Sequence, residues 1–92
     1  MPKVVKIPGD MDAASMADLK TMFENLGSSS QDVVLDLSEV DFMDSSGVGG
    51  IVFLYKRLRV NGFKLRLSGA QGQVLQLLTH LRLSDLIDGG TP

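Results

Sequence analysis

Between Val33 and Leu37 the chain is apolar at every position but Asp36. A short run with apolar residues on both alternating sets of positions is the pattern of a strand covered by helices on both faces, so it predicts the core strand of a largely parallel sheet. The flanking segments supply elements for such a sheet. Val4, Val5 and Ile7 form a β-prone run that stops at Pro8-Gly9, because proline offers no ladder donor. Asp12 stands ahead of Leu19, Met22, Phe23 and Leu26, whose spacing predicts a helix with Asp12 as its cap and Gly27 as its stop. A second helix runs from Val48 through Ile51, Val52, Tyr55 and Leu58 to Asn61-Gly62, with Lys56, Arg57 and Arg59 at its negative end. Phe63, Leu65 and Leu67 alternate with Lys64 and Arg66 as a half-exposed strand. A third helix turns Val74, Leu77, Leu78 and Leu81 inward, and Leu86 and Ile87 are expected to add a last short strand. The order β-α-β-α-β-α-(β) predicts one domain over residues 1–92. Its fold class is α/β, a single-layer, parallel or mixed sheet of about four strands with helices packed against it.

Composition narrows the function. The 92 residues include no cysteine, which removes disulfides, thiolate catalysis and Cys-based metal sites and fits a reducing compartment. A net charge of -2 gives no basic field for a phosphate backbone, so no nucleic acid partner is expected. Residues Met1 to Ile7 have neither the charged head and apolar run of a secretory leader nor the roughly 20 apolar residues of a membrane span. A cytoplasmic protein with no membrane insertion is the expectation.

In an α/β layer of this kind, ligands and partners meet the carboxyl ends of the strands, which places Phe42 to Gly50 on the functional edge. Asp44 or Ser45 can cap the second helix, with Phe42 as a hydrophobic staple. Capping does not account for Gly47, Gly49 and Gly50. Each costs up to ~1 kcal/mol relative to alanine in a helix, so their accumulation implies close backbone approach by another segment or a partner. Ser46 near the helix start can carry a phosphate facing unpaired N–H groups and the positive end of the helix dipole. That phosphate would lie beside Asp44 and Asp12. At ~6 Å and an effective dielectric of ~20, each like-charge pair costs roughly 3 kcal/mol before screening, against ~2.7 kcal/mol for a hundredfold loss of affinity. Phosphorylation can thus block docking by charge, bulk and desolvation without unfolding the domain.

Rival chemistries lack their residues. A hydrolase would have to be assembled from Ser45 or Ser46 and the single His80, and Asp44 occupies the position where a G-x-S-x-G elbow centred on Ser46 needs its first glycine. The glycines match neither phosphate-binding fingerprint. Asp36, Asp41 and Asp44 lack calcium-loop spacing, so no metal, cofactor or enzymatic activity is expected. On the second helix, Gly50, Phe53 and Leu54 are candidates for a face that packs on a partner helix. For Phe53 and Leu54 the core reading has the edge. Met11, Met16, Met22 and Met43 read as core filler before docking surface, with Met43 the one to test as a docking contact.

The segment V-V-L-D-L-S-E-V-D-F-M-D-S-S-G-V-G-G, Val33 to Gly50, resembles the strand–loop–helix signature of STAS-domain anti-sigma factor antagonists. Gly9-Asp10-Met11-Asp12 resembles that family's G-E-L-D element. The resemblance implies a STAS fold, shortened at both ends, that binds a partner and is not an enzyme. It implies Ser46 as the phosphorylation site, with Asp12, Asp44, Ser45 and Gly47 contacting the partner, and the residue readings above add Met43 and Gly50 to that surface. That partner would be an anti-sigma factor that is itself a serine kinase, captured by the unmodified protein so that a sigma factor is freed, with a phosphatase to reset the switch. The missing flanking structure implies an uncovered edge or apolar surface and hence a possible homodimer. A second use of the same domain is as a constitutive subunit on the ATPase of a lipid-transporting ABC system or another signalling partner. Those transport subunits commonly carry threonine where Ser46 stands, so the intact D-S-S-G favours the phosphoswitch.

Overall fold

A computed structural model of the chain describes residues 1–86. Strands β1 (Lys3–Lys6), β2 (Val33–Asp36) and β3 (Leu65–Ser68) form one sheet in that order. Both pairings are parallel, with Lys3, Val33 and Leu65 in register. The crossovers are helices α1 (Ala13–Gly27) and α2 (Ser45–Val60), and α3 (Gly72–His80) follows β3.

The expected central strand is in place at β2, but its surroundings differ from the expectation of helices on both faces. Val33, Leu35 and Leu37 are fully buried, whereas Val34 and Asp36 are only half-buried. The row through Val34 continues to Val4, which is 65% exposed. The core therefore gathers on one face, where Ile51, Leu54 and Leu58 of α2, Phe23 and Leu26 of α1, and Val74 and Leu78 of α3 meet the strands. Val34 favours a strand because it is β-branched, whether or not its face is covered. A continuous apolar run consequently looked two-sided.

The sheet has three strands where about four were expected. Leu86 belongs to a 3₁₀ turn, Ser84–Leu86, in which its N–H donates to the Leu83 carbonyl at 3.0 Å. Leu83 and Leu86 both pack against the core, and apolar residues three apart suit a 3₁₀ turn rather than the two-residue period of a strand. Ile87 lies outside the described residues. Leu81, expected inward, follows the last residue of α3 and is 45% exposed.

Helices α1 and α2 lie side by side and run in the same direction. A β-carbon at Gly50 would collide with the Met16 methyl and lie 3.3 Å from the Phe23 ring, and one at Gly27 would lie 3.0 Å from Cβ of Arg57. Gly27 is thus a residue of close helix–helix approach within α1 and not its stop. The cap is Ser28, whose N–H donates to the carbonyls of Asn25 and Leu26. Asn61 caps α2, and Gly62 beyond it takes φ +87°, a left-handed value suited to glycine.

Candidate functional site

The loop from Leu37 to Asp44 leaves the carboxyl end of β2 and is held from three sides. Met11 and Met43 form a parallel bridge, in which the Met11 N–H donates to the Phe42 carbonyl at 3.0 Å and the Asp44 N–H donates to the Met11 carbonyl at 3.3 Å. Oδ1 of Asp10 accepts from the N–H groups of Asp41 and Phe42, both at 3.2 Å. From α3, Gln73 accepts the Met43 N–H at 3.0 Å and donates to the Met43 carbonyl at 2.9 Å.

Because the bridge joins the residues that precede Asp12 and Asp44, it brings two aspartate N-caps alongside one another at the starts of parallel helices. Oδ1 of Asp12 accepts the Ser15 N–H at 2.9 Å. This bond and the Ser15 hydroxyl hold the Asp12 carboxyl below the usual aspartate range. Asp44, with extended backbone, is the cap of α2, so Ser45 is its first residue. Met43, not Phe42, occupies the position a staple would use, and Phe42 is 45% exposed.

Asp44 also changes the expected phosphate geometry. Its Oδ1 accepts from the N–H groups of Ser46 at 2.8 Å and Gly47 at 3.3 Å, and its carbonyl accepts from Val48 at 3.1 Å. The N–H groups of Ser46, Gly47 and Val48 are thus already engaged and are not the unpaired donors that the sequence suggested.

The glycines divide by role. At Gly47 an added β-carbon would lie 2.6 Å from the Met11 carbonyl oxygen and 2.7 Å from Cγ of Met43. Gly50 is closed in by Met16 and Phe23, while nothing lies within 4 Å of a β-carbon at Gly49. Close approach at Gly47 and Gly50 therefore comes from the chain's own segments. Among the other candidates, Ser45 is exposed and Ser46 is half-buried. The Met43 side chain is fully buried, so it supports the loop from below and offers no surface to a partner. Leu54 is fully buried in the core, whereas Phe53 is only half-buried, 5.4 Å beneath the Arg57 guanidinium. His80 is exposed at the end of α3.

A groove of about 330 Å³ separates the starts of α1 and α2. Ala13, Met16, Phe23 and Phe53 make it apolar, and Ser46 and Lys20 also line it. Sequence reasoning missed Lys20, the exposed Phe42 and both side chains that clamp the loop. Asp10 lay within the G-D-M-D element and was therefore findable. Gln73 carries no local signal, since only the fold brings it to Met43. Among the described residues, no helix is long and apolar enough to cross a membrane.

Comparison with known proteins gives consistent relatives. A family model described as the STAS domain matches residues 2–91. The chain is 30% identical over 84 residues to the anti-sigma-B factor antagonist of Bacillus subtilis, covering 91% of this chain and 77% of that protein. Among solved structures, the anti-sigma factor antagonist SpoIIAA in its unphosphorylated form superposes with a TM-score of 0.79 at 17% identity, over 92% of this chain and 76% of that one. A sulfate transporter family protein from Wolinella succinogenes gives 0.76 at 16% identity, over 92% and 74%. At these identities the two structures speak for the fold alone.

Proposed function

The chain belongs to the STAS-domain family, and from that premise we propose that it is a phosphorylation-switched binding module acting in the cytoplasm. Unmodified, it captures an anti-sigma factor that is also a serine kinase, and a sigma factor is released. Phosphate on Ser46 ends the capture, and a phosphatase restores it. The observation that carries this reading is the setting of Ser46. It is a half-buried hydroxyl one residue into α2, at the lip of an apolar groove and beside the Asp44 carboxylate. A dianionic phosphate there adds to the charge of Asp44 and Asp12 and needs no rearrangement of the core. Anti-sigma factor antagonists among the relatives support the partner class.

The surface offered to the kinase comprises Asp12, Asp44, Ser45 and the helix face at Gly50, with Met43 and Gly47 shaping it from beneath. The test is affinity capture from the native host's lysate with the parent, Ser46→Ala and Ser46→Asp proteins, together with phosphosite mapping of the parent. The expected result is an anti-sigma-type serine kinase held by the parent and Ser46→Ala, lost from Ser46→Asp, and phosphate on Ser46. Equal capture of an ABC ATPase or another partner by all three, with Ser46 unmodified, would establish a constitutive subunit and overturn the switch.

A further inference from the structure

We propose that the phosphate on Ser46 is received by Lys20, which reaches it across the groove between α1 and α2 and closes that groove when the serine is modified. The inference rests on Ser46 as the phosphate acceptor and concerns what the phosphate meets. Most of the backbone near the acceptor is already taken: Asp44 holds the N–H groups of Ser46 and Gly47 through its side chain and that of Val48 through its carbonyl. A phosphate cannot use those donors without displacing a carboxylate that also repels it. It must turn outward to a cation. Lys20 is the one cation that lines the groove among the described residues, and there it has no hydrogen-bond or ion-pair partner.

Helix geometry allows the contact. Since α1 and α2 run in the same direction, with Met11 bridged to Met43 and Gly27 against Cβ of Arg57, residues of α1 stand level with residues of α2 thirty to thirty-two positions further on, so Lys20 is about level with Gly50 and Ser46 lies one turn before it. Long side chains on a helix lean back toward its N-terminus. A lysine stem, reaching about one turn or ~5.4 Å, therefore travels over Met16 toward Ser46. An ammonium drawn there lays its methylene stem over Met16 and Phe23, the apolar floor otherwise offered to a partner. The other charges near the phosphate, Asp44 at the cap of α2 and Glu24 on the groove wall, are negative, so among the side chains that line the groove Lys20 is the one that favours the dianion.

The test installs phosphoserine at position 46 during translation, so it needs no kinase and does not depend on any partner. The second ionisation of the phosphate, near pH 6 for an unperturbed group, is followed by phosphorus NMR at low ionic strength in the parent, Lys20→Arg and Lys20→Gln backgrounds. The parent and Lys20→Arg should ionise at least about half a pH unit below Lys20→Gln. Identical titrations in all three would overturn the contact even if capture experiments confirm the switch. A shift that follows Lys20 would stand even if they do not.

Discussion

Gln73 grips Met43 at both ends of its peptide, accepting the N–H at 3.0 Å and donating to the carbonyl at 2.9 Å. A side-chain amide that satisfies both groups of one residue acts as a short piece of strand, and here it ties α3 to the loop that carries Ser46 into α2. At about 1 kcal/mol for each hydrogen bond, Gln73→Ala should lower stability by ~1–2 kcal/mol in urea unfolding. Amide exchange should accelerate first at Met43 and its neighbours while α1 stays protected. A uniform increase across the domain would mean that the clamp has no local role.

Neighbouring glycines should respond in opposite directions. An alanine methyl at Gly47 meets a backbone oxygen at 2.6 Å, which side-chain motion cannot relieve, so Gly47→Ala should cost about 3 kcal/mol, the upper range for overpacking. At Gly49 the space is open, and alanine should add up to ~1 kcal/mol through helix propensity. Denaturant midpoints of the two variants, measured side by side, check both signs.

Acid sensitivity follows from two carboxylates. Asp12 is held low by the N–H and hydroxyl of Ser15, and Asp36 by those of Ser38, with a smaller effect from Lys6. A folded value below the unfolded one, near 3.9, means that the folded state binds fewer protons. The stabilisation is then fully present above about pH 5 and is lost as pH falls through the folded values. Unfolding midpoints should be insensitive to these groups between pH 7 and 5 and should drop below pH 4. The Asp12→Asn, Asp36→Asn double variant should flatten that acid limb while keeping a capping oxygen at position 12.

Local chemistry was legible in the sequence, and long-range chemistry was not. The cap at Asp12, the end of α2 at Asn61-Gly62 and the central place of Val33 to Leu37 follow from spacing and residue type. Asp44 or Ser45 remained open as the second cap until the geometry assigned Asp44. Gly47 and Gly49 are indistinguishable as letters, because what separates them is Met11, more than thirty positions away along the chain. Gln73 was invisible for the same reason. The open sheet face was misread because Val34 contributes to strand propensity and to burial with the same side chain, and only the covering elements tell the two apart.

Phe42 is the most direct test of the surface itself. It is 45% exposed, yet its backbone is pinned by Asp10 on one side and Met11 on the other. A large aromatic ring displayed on a rigid loop loses little entropy on docking and has the features of an interface anchor. Because the ring contributes little to the core, Phe42→Ala should change stability by no more than ~0.5 kcal/mol. Its affinity for the proposed partner, an anti-sigma kinase, should fall at least about tenfold, as truncation of an anchor costs more than 1.4 kcal/mol. Titration of the purified kinase with parent and variant, alongside their unfolding curves, separates the two effects. Unchanged affinity would remove the loop tip from the interface and leave the α1–α2 groove as the docking surface.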